Sequence, residues 1–151
     1  TLMRSSAASD VYKRQLLLSE VIMSRAIEEE IIKQYIKKNK QERMLWELNN
    51  PQKREEVIWR FSKPGIFIEK CLTPIGYMDK IHMIEYLFKL SGVSNVYYIG
   101  EDYIGYLSLE QAAERASMGE ICIIYCGKGI GYYQGEQEIG APPRFMLLAE
   151  K

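Results

Sequence analysis

The sequence predicts an α/β domain of the α+β kind, with N-terminal helices packed on a C-terminal mixed β-sheet of three to five strands. Three observations predict it. Apolar residues between Ser24 and Lys38 recur at i and i+4, which gives a helix one face to bury. β-Branched and aromatic runs cluster after Asn95, the composition of strands. Gly127-Lys128-Gly129 separates two such runs, as a hairpin loop does.

The opening segment, Thr1 to Gln15, shows no hydrophobic period. Its end, Asp10-Val11-Tyr12-Lys13-Arg14-Gln15, resembles the translated end of a transposase sequencing adapter. Ser19-Glu20-Val21-Ile22 can be encoded by codons holding a bacterial-type ribosome-binding sequence, just before Met23. Residues 1–22 are therefore expected to be a non-native leader, and residues 23–151 a single globular domain.

Ser24 is the expected N-cap of the first helix, which buries Ile27, Ile31, Ile32, Tyr35 and Ile36. Glu28, Glu29 and Glu30 suit the positive end of its dipole. A second helix covers Gln41 to Leu48 and buries Met44, Leu45 and Leu48. Asn50-Pro51 opens a third that runs to Phe61, because proline is tolerated in a first helical turn. Ile66 to Leu72 reads as a strand, and Thr73 to Tyr77 as a turn. Asp79 caps a fourth helix ending at Ser91-Gly92, with Ile81, Ile84, Leu87 and Phe88 on its apolar face.

Asn95 to Ile99 reads as a strand and Gly100 to Leu107 as a loop. Ser108 and Gln111 form a capping box for a helix closed by Gly119. Ile121 to Cys126 is apolar on both faces, so it belongs inside the sheet. Ile130 to Glu136 returns from the hairpin, and Arg144 to Ala149 is the last strand. The unit from Asn95 to Cys126 is expected to be a right-handed parallel βαβ crossover.

Lysine plus arginine number 20 and aspartate plus glutamate 20. A zero balance argues against a protein built around non-specific nucleic-acid binding. The charge is uneven: 24–63 holds ten basic and seven acidic residues, and 64–151 seven and eleven. The helical half is therefore +3 and the sheet half −4. No apolar run reaches the length of a membrane helix. Cys71, Cys122 and Cys126 have no framework spacing and read as reduced thiols of a cytoplasmic protein.

Candidate chemistry is sparse. Cys122 and Cys126 share a strand face about 13 Å apart, too far to bridge, and read as core residues. His82, the single histidine, is expected at the start of a helix, with nothing to bring it near a thiol. Gly127-Lys128-Gly129-Ile130-Gly131 lacks the Ser or Thr and the strand-to-helix setting of a phosphate loop. Glu101 and Asp102 follow a strand, where ligands gather in open sheets. Glu136 and Glu138 end the return strand. Tyr103 and Tyr106 sit beside the first carboxylate pair, and tyrosine is enriched at protein contacts.

The expected function is a non-enzymatic protein-interaction module, such as a toxin-neutralising or regulatory partner. It would bind another protein through Glu101, Asp102, Tyr103, Tyr106, Glu136 and Glu138. No catalytic residue, metal ligand or cofactor is assigned. One alternative is a metal-dependent hydrolase or nuclease, which needs the four carboxylates to converge. The other is a weak nucleic-acid binder using Lys53, Arg54, Arg60 and Lys63.

Overall fold

The computed structural model describes residues 2–150, with side chains from Ser9 onward. Thr1 and Lys151, the first residue of the expected leader and the last of the chain, lie outside the described residues. Helix α1 spans Leu2–Tyr35 and α2 spans Lys38–Leu48. A 3-10 helix covers Arg54–Phe61, and 3-10 turns follow at Pro64–Ile66 and Glu69–Cys71. Next come β1 (Leu72–Pro74), α3 (Lys80–Ser91), β2 (Asn95–Gly100), β3 (Ile104–Ser108) and α4 (Leu109–Ser117). Strands β4 (Cys122–Gly127), β5 (Ile130–Gln134) and β6 (Arg144–Leu148) end the order.

The α+β class holds, but the sheet differs from the expected one. It has six strands in the order β1-β6-β5-β4-β2-β3. Every neighbouring pair is antiparallel, so the sheet is not mixed. The residues read as a loop after Gly100 contain β3. Gly100 N donates to Tyr103 O at 2.9 Å, which closes a tight turn and sends the chain straight back along β2. That extra strand reverses the direction, so β4 meets β2 antiparallel instead of parallel. Helix α4 therefore joins β3 to β4 across β2, and the expected parallel crossover between β2 and β4 does not form.

Ile66 to Leu72 is not a strand either. Its backbone bonds to the end of α1: Lys37 N donates to Ile66 O and Ile68 N donates to Tyr35 O. Only from Leu72 does the chain join the sheet, pairing with β6. The first helix begins at Leu2 and not at Ser24. No Pro or Gly interrupts residues 2–35, so nothing stops the helix in that interval. Residues 9–23 are all exposed, and burial begins at Ser24.

Period-2 alternation explains the layers. Tyr97, Ile99, Ile123, Tyr125, Tyr133 and Leu147 face Ile31, Ile32, Tyr35, Ile36, Val57 and Phe61 from the N-terminal helices. Their sheet neighbours Val96, Tyr98, Cys122, Ile124, Tyr132 and Met146 face the other way, against Met83 and Leu87 of α3 and the alanines of α4. Ala112, Ala113 and Ala116 are fully buried, and their small size lets α4 lie close to the sheet. The apolar face of α3 departs from the expected one: Met83 and Leu87 are buried, while Ile81 and Phe88 are exposed.

Local signals hold where their chemistry is specific. Asp79 accepts from His82 N, and Gly92 is left-handed at the C-cap of α3. The Ser108–Gln111 capping box starts α4. The β4–β5 loop has positive φ at Gly127, Lys128 and Gly129. A Cβ on Gly129 would lie 2.8 Å from Ala149 Cβ. Gly129→Ala therefore combines backbone strain with overlap, and is expected to cost about 1–3 kcal/mol in a urea denaturation series.

Candidate functional site at the β2–β3 tip

The tight turn between β2 and β3 carries Glu101, Asp102 and Tyr103 beyond the end of the sheet. Glu101 is partly withdrawn: its Oε1 accepts from Ile121 N at 3.2 Å. Asp102 is exposed, and its backbone N–H donates to Glu120 Oε1 at 3.4 Å. Glu120 also accepts from the buried Tyr98 hydroxyl. Glu101 and Glu120 are thus struts that hold the turn against the start of β4.

The two tip tyrosines differ. Tyr103 OH donates to Tyr106 O at 2.9 Å, and its ring lies 5.2 Å from the Arg115 guanidinium. It occupies a carbonyl of edge strand β3, which would otherwise be open to another strand. Tyr106 packs edge-on against Tyr97, with centroids 4.9 Å apart, yet remains 49% exposed. Tyr103 fixes the tip, and Tyr106 faces water.

Two clefts flank the turn. One of about 600 Å³ is lined by Glu101, Asp102, Leu107, Glu114, Met118 and Glu120 among others, with Arg115 as its single cation. The other, about 350 Å³, lies between the tip and the N-terminal helices and includes Arg25, Arg54 and Glu55. Asp102 lines both.

Glu136 and Glu138 are elsewhere. Strand β4 separates β5 from β2. Beyond β5 the chain turns to the 3-10 region, where Glu136 N donates to Ser62 O and Glu138 pairs with Lys63 at 3.2 Å. They line a separate cleft with Pro64 and Ile139. The four carboxylates therefore do not converge, and among the described residues no three His, Cys, Asp or Glu side chains are placed to hold a metal ion.

The thiols are packed. Burial pushes Cys122 up to about 12 and Cys126 up to about 11, and raises Cys71. These thiols stay protonated near neutrality, and the thiolate is the nucleophilic form. His82 is exposed and hydrogen-bonded through Nδ1 to Asp79, which raises its pKa. It faces solvent at the start of α3 while the thiols lie in the interior. Of the basic residues weighed for nucleic acid, Arg54 pairs with Glu28, Arg60 with Glu47 and Lys63 with Glu138.

Sequence reasoning missed Arg115, Glu114, Glu120 and Met118 as members of the site. Helix α4 brings them there, and only the β3 return places that helix end beside the tip. Among the described residues, no helix is long and apolar enough to cross a membrane. No protein-family model, curated protein or solved structure matches this chain.

Proposed function

We propose that this protein is a non-enzymatic interaction module that holds a basic segment of another protein in the cleft beside the β2–β3 tip. The observation that carries the reading is the composition of that cleft: four carboxylates face one guanidinium beside half-buried Leu107 and exposed Met118. Met118 is 78% exposed at its rim. Methionine adapts to irregular partners; Tyr106 packs on Tyr97 on the other face of β3 and lies outside this cleft. Glu101 and Glu120 are engaged in the fold, so Asp102 reads the partner's charge together with Glu114, whose 3.8 Å pair with Lys80 is loose and exposed. Complementary charge governs encounter rate and register more than raw affinity. A toxin-neutralising or regulatory partner is the setting we infer for such a module. The tip and its cleft carry the proposal, and Glu136 and Glu138 contribute nothing to it.

The test uses a photo-crosslinking residue at position 118, exposed on the rim of the cleft, in extract of the source cells. The expected result is a discrete adduct whose yield falls about tenfold in the Asp102→Lys, Glu114→Lys variant. A probe at Leu148, exposed on β6, should give no such adduct. Equal adducts at both positions, or indifference to charge reversal, would overturn the reading.

A further inference from the structure

We propose that α2 and the 3-10 helix Arg54–Phe61 present a second site, a stacking surface for single-stranded nucleic acid, separate from the β2–β3 tip and beyond the protein-binding role. The chain has two tryptophans, and both are more than half exposed: Trp46 at 57% and Trp59 at 56%. An indole in water forgoes more burial than almost any other side chain. Here both sit on one outer surface. Lys53 connects them: its Nζ lies 5.9 Å from the Trp46 ring centroid, and it lines a cleft of about 500 Å³ with Trp59.

The lining decides the ligand class. Besides Lys53 and Trp59 it consists of Arg43, Glu47, Glu56 and Arg60. It offers one flat aromatic face and no aliphatic pocket, so an apolar peptide anchor has nowhere to seat. A nucleobase needs only the indole face, and stacking is tolerant of sequence. Glu47 accepts from Arg60 Nε at 2.7 Å and from Arg43 Nε at 3.2 Å. That clamp fixes both guanidiniums yet leaves the Arg43 side chain 74% exposed. Arg43 and Lys53 can meet phosphates, while Glu56 can accept from a base amine. Three cations against two carboxylates leave a small positive excess. Stacking therefore carries more of the binding than charge, in keeping with the zero net charge of the chain.

The two tryptophans are also the reporters. The full chain is titrated with an oligothymidylate about 15 nucleotides long, and intrinsic fluorescence is read. The expected result is saturable quenching, seen also in the Trp46→Phe and Trp59→Phe variants through the remaining indole. Trp59→Ala weakens binding about tenfold, and Lys53→Glu weakens it too. The slope of log affinity on log salt should be shallow, about −1, as one or two phosphate contacts give. Absence of quenching at low salt overturns the proposal. So does heparin binding as tightly with the same Lys53 dependence, since heparin has no bases. Quenching by a poly-glutamate peptide but not by oligothymidylate would assign the surface to an acidic protein instead. Neither result bears on the crosslinking test at Met118.

Discussion

Replacing Glu28 by Ala is expected to lower the unfolding free energy by about 3–5 kcal/mol, the largest loss from any single substitution proposed for this fold. Glu28 is 1% exposed, two turns from the C-terminal end of α1. Its carboxylate accepts from both terminal nitrogens of Arg54, one at 2.6 Å, from the Tyr97 hydroxyl, and from Arg25 at 3.3 Å. Arg54 in turn donates to Leu48 O at 3.0 Å, at the end of α2. One carboxylate thus joins α1, the end of α2, the 3-10 helix and β2. Burial works against the Arg54 charge, and the Glu28 hydrogen bonds and charge more than offset it, so its pKa is raised. Without Glu28 a largely buried guanidinium is left uncompensated. Glu28→Gln keeps the shape but removes the charge, so its loss should be smaller. A double Glu28→Met, Arg54→Met variant should recover much of the stability, because neither charge then remains to be desolvated. Urea denaturation of the three variants checks the order.

Gln134→Leu is expected to cost about 2–4 kcal/mol despite its near-equal size. Gln134 is fully buried on β5. Its Nε2 donates to Ala116 O and Glu120 O, both at 2.9 Å, and its Oε1 accepts from Tyr132 OH at 2.7 Å. Two of these partners are carbonyls at and just beyond the end of α4, and of the two Ala116 O also accepts from Gly119 N at 3.0 Å. Leucine would leave the buried Tyr132 hydroxyl and the part-buried Glu120 O without this partner. For a domain of this size, each kcal/mol moves Tm by about 2–4 °C, so calorimetry resolves the effect. Hydrogen exchange should also accelerate at Gly119 to Ile121, because Glu120 braces the β2–β3 tip through Tyr98 and Asp102 N.

These two polar residues show where the sequence was silent. Glu28 reads as one of three consecutive glutamates in a first helical turn, favoured there by the dipole. Because the helix begins at Leu2, that turn lies toward its C-terminal end, and only tertiary packing singles out Glu28 from Glu29 and Glu30. Gln134 reads as the polar end of a strand. Its burial follows from the end of α4 and the turn after it closing over the end of β5, which required knowing the sheet order. By contrast, Asp79, Gly92, Ser108, Gln111 and Gly127 to Gly129 act through backbone geometry within a few residues, and that chemistry was legible.

The site was legible in the same partial way. Asp102 and Tyr106 are exposed, as a contact surface needs. Tyr103 turned out to be tied to its own edge strand, because a tyrosine three residues before a strand carbonyl can reach it. The strand itself was hidden by Gly105, which breaks the apolar alternation within Ile104–Ser108. Missing β3 moved everything after it: the direction of β4, the position of α4, and the cleft between α4 and the tip. Glu136 and Glu138 lie near Glu101 only if β5 is a neighbour of β2, and β4 occupies that place.

The cleft exists only because the chain reverses at Glu101 and returns along β2. Cross-strand NOEs in solution test this without any partner. Contacts are expected between Tyr97 and Tyr106 and between Tyr98 and Gly105, the register of the β2–β3 pair, together with ring contacts between Tyr97 and Tyr106. Their absence, with residues 101–107 exchanging as an open loop and β2 running parallel to β4, would contradict the fold and remove the cleft on which the binding proposal stands.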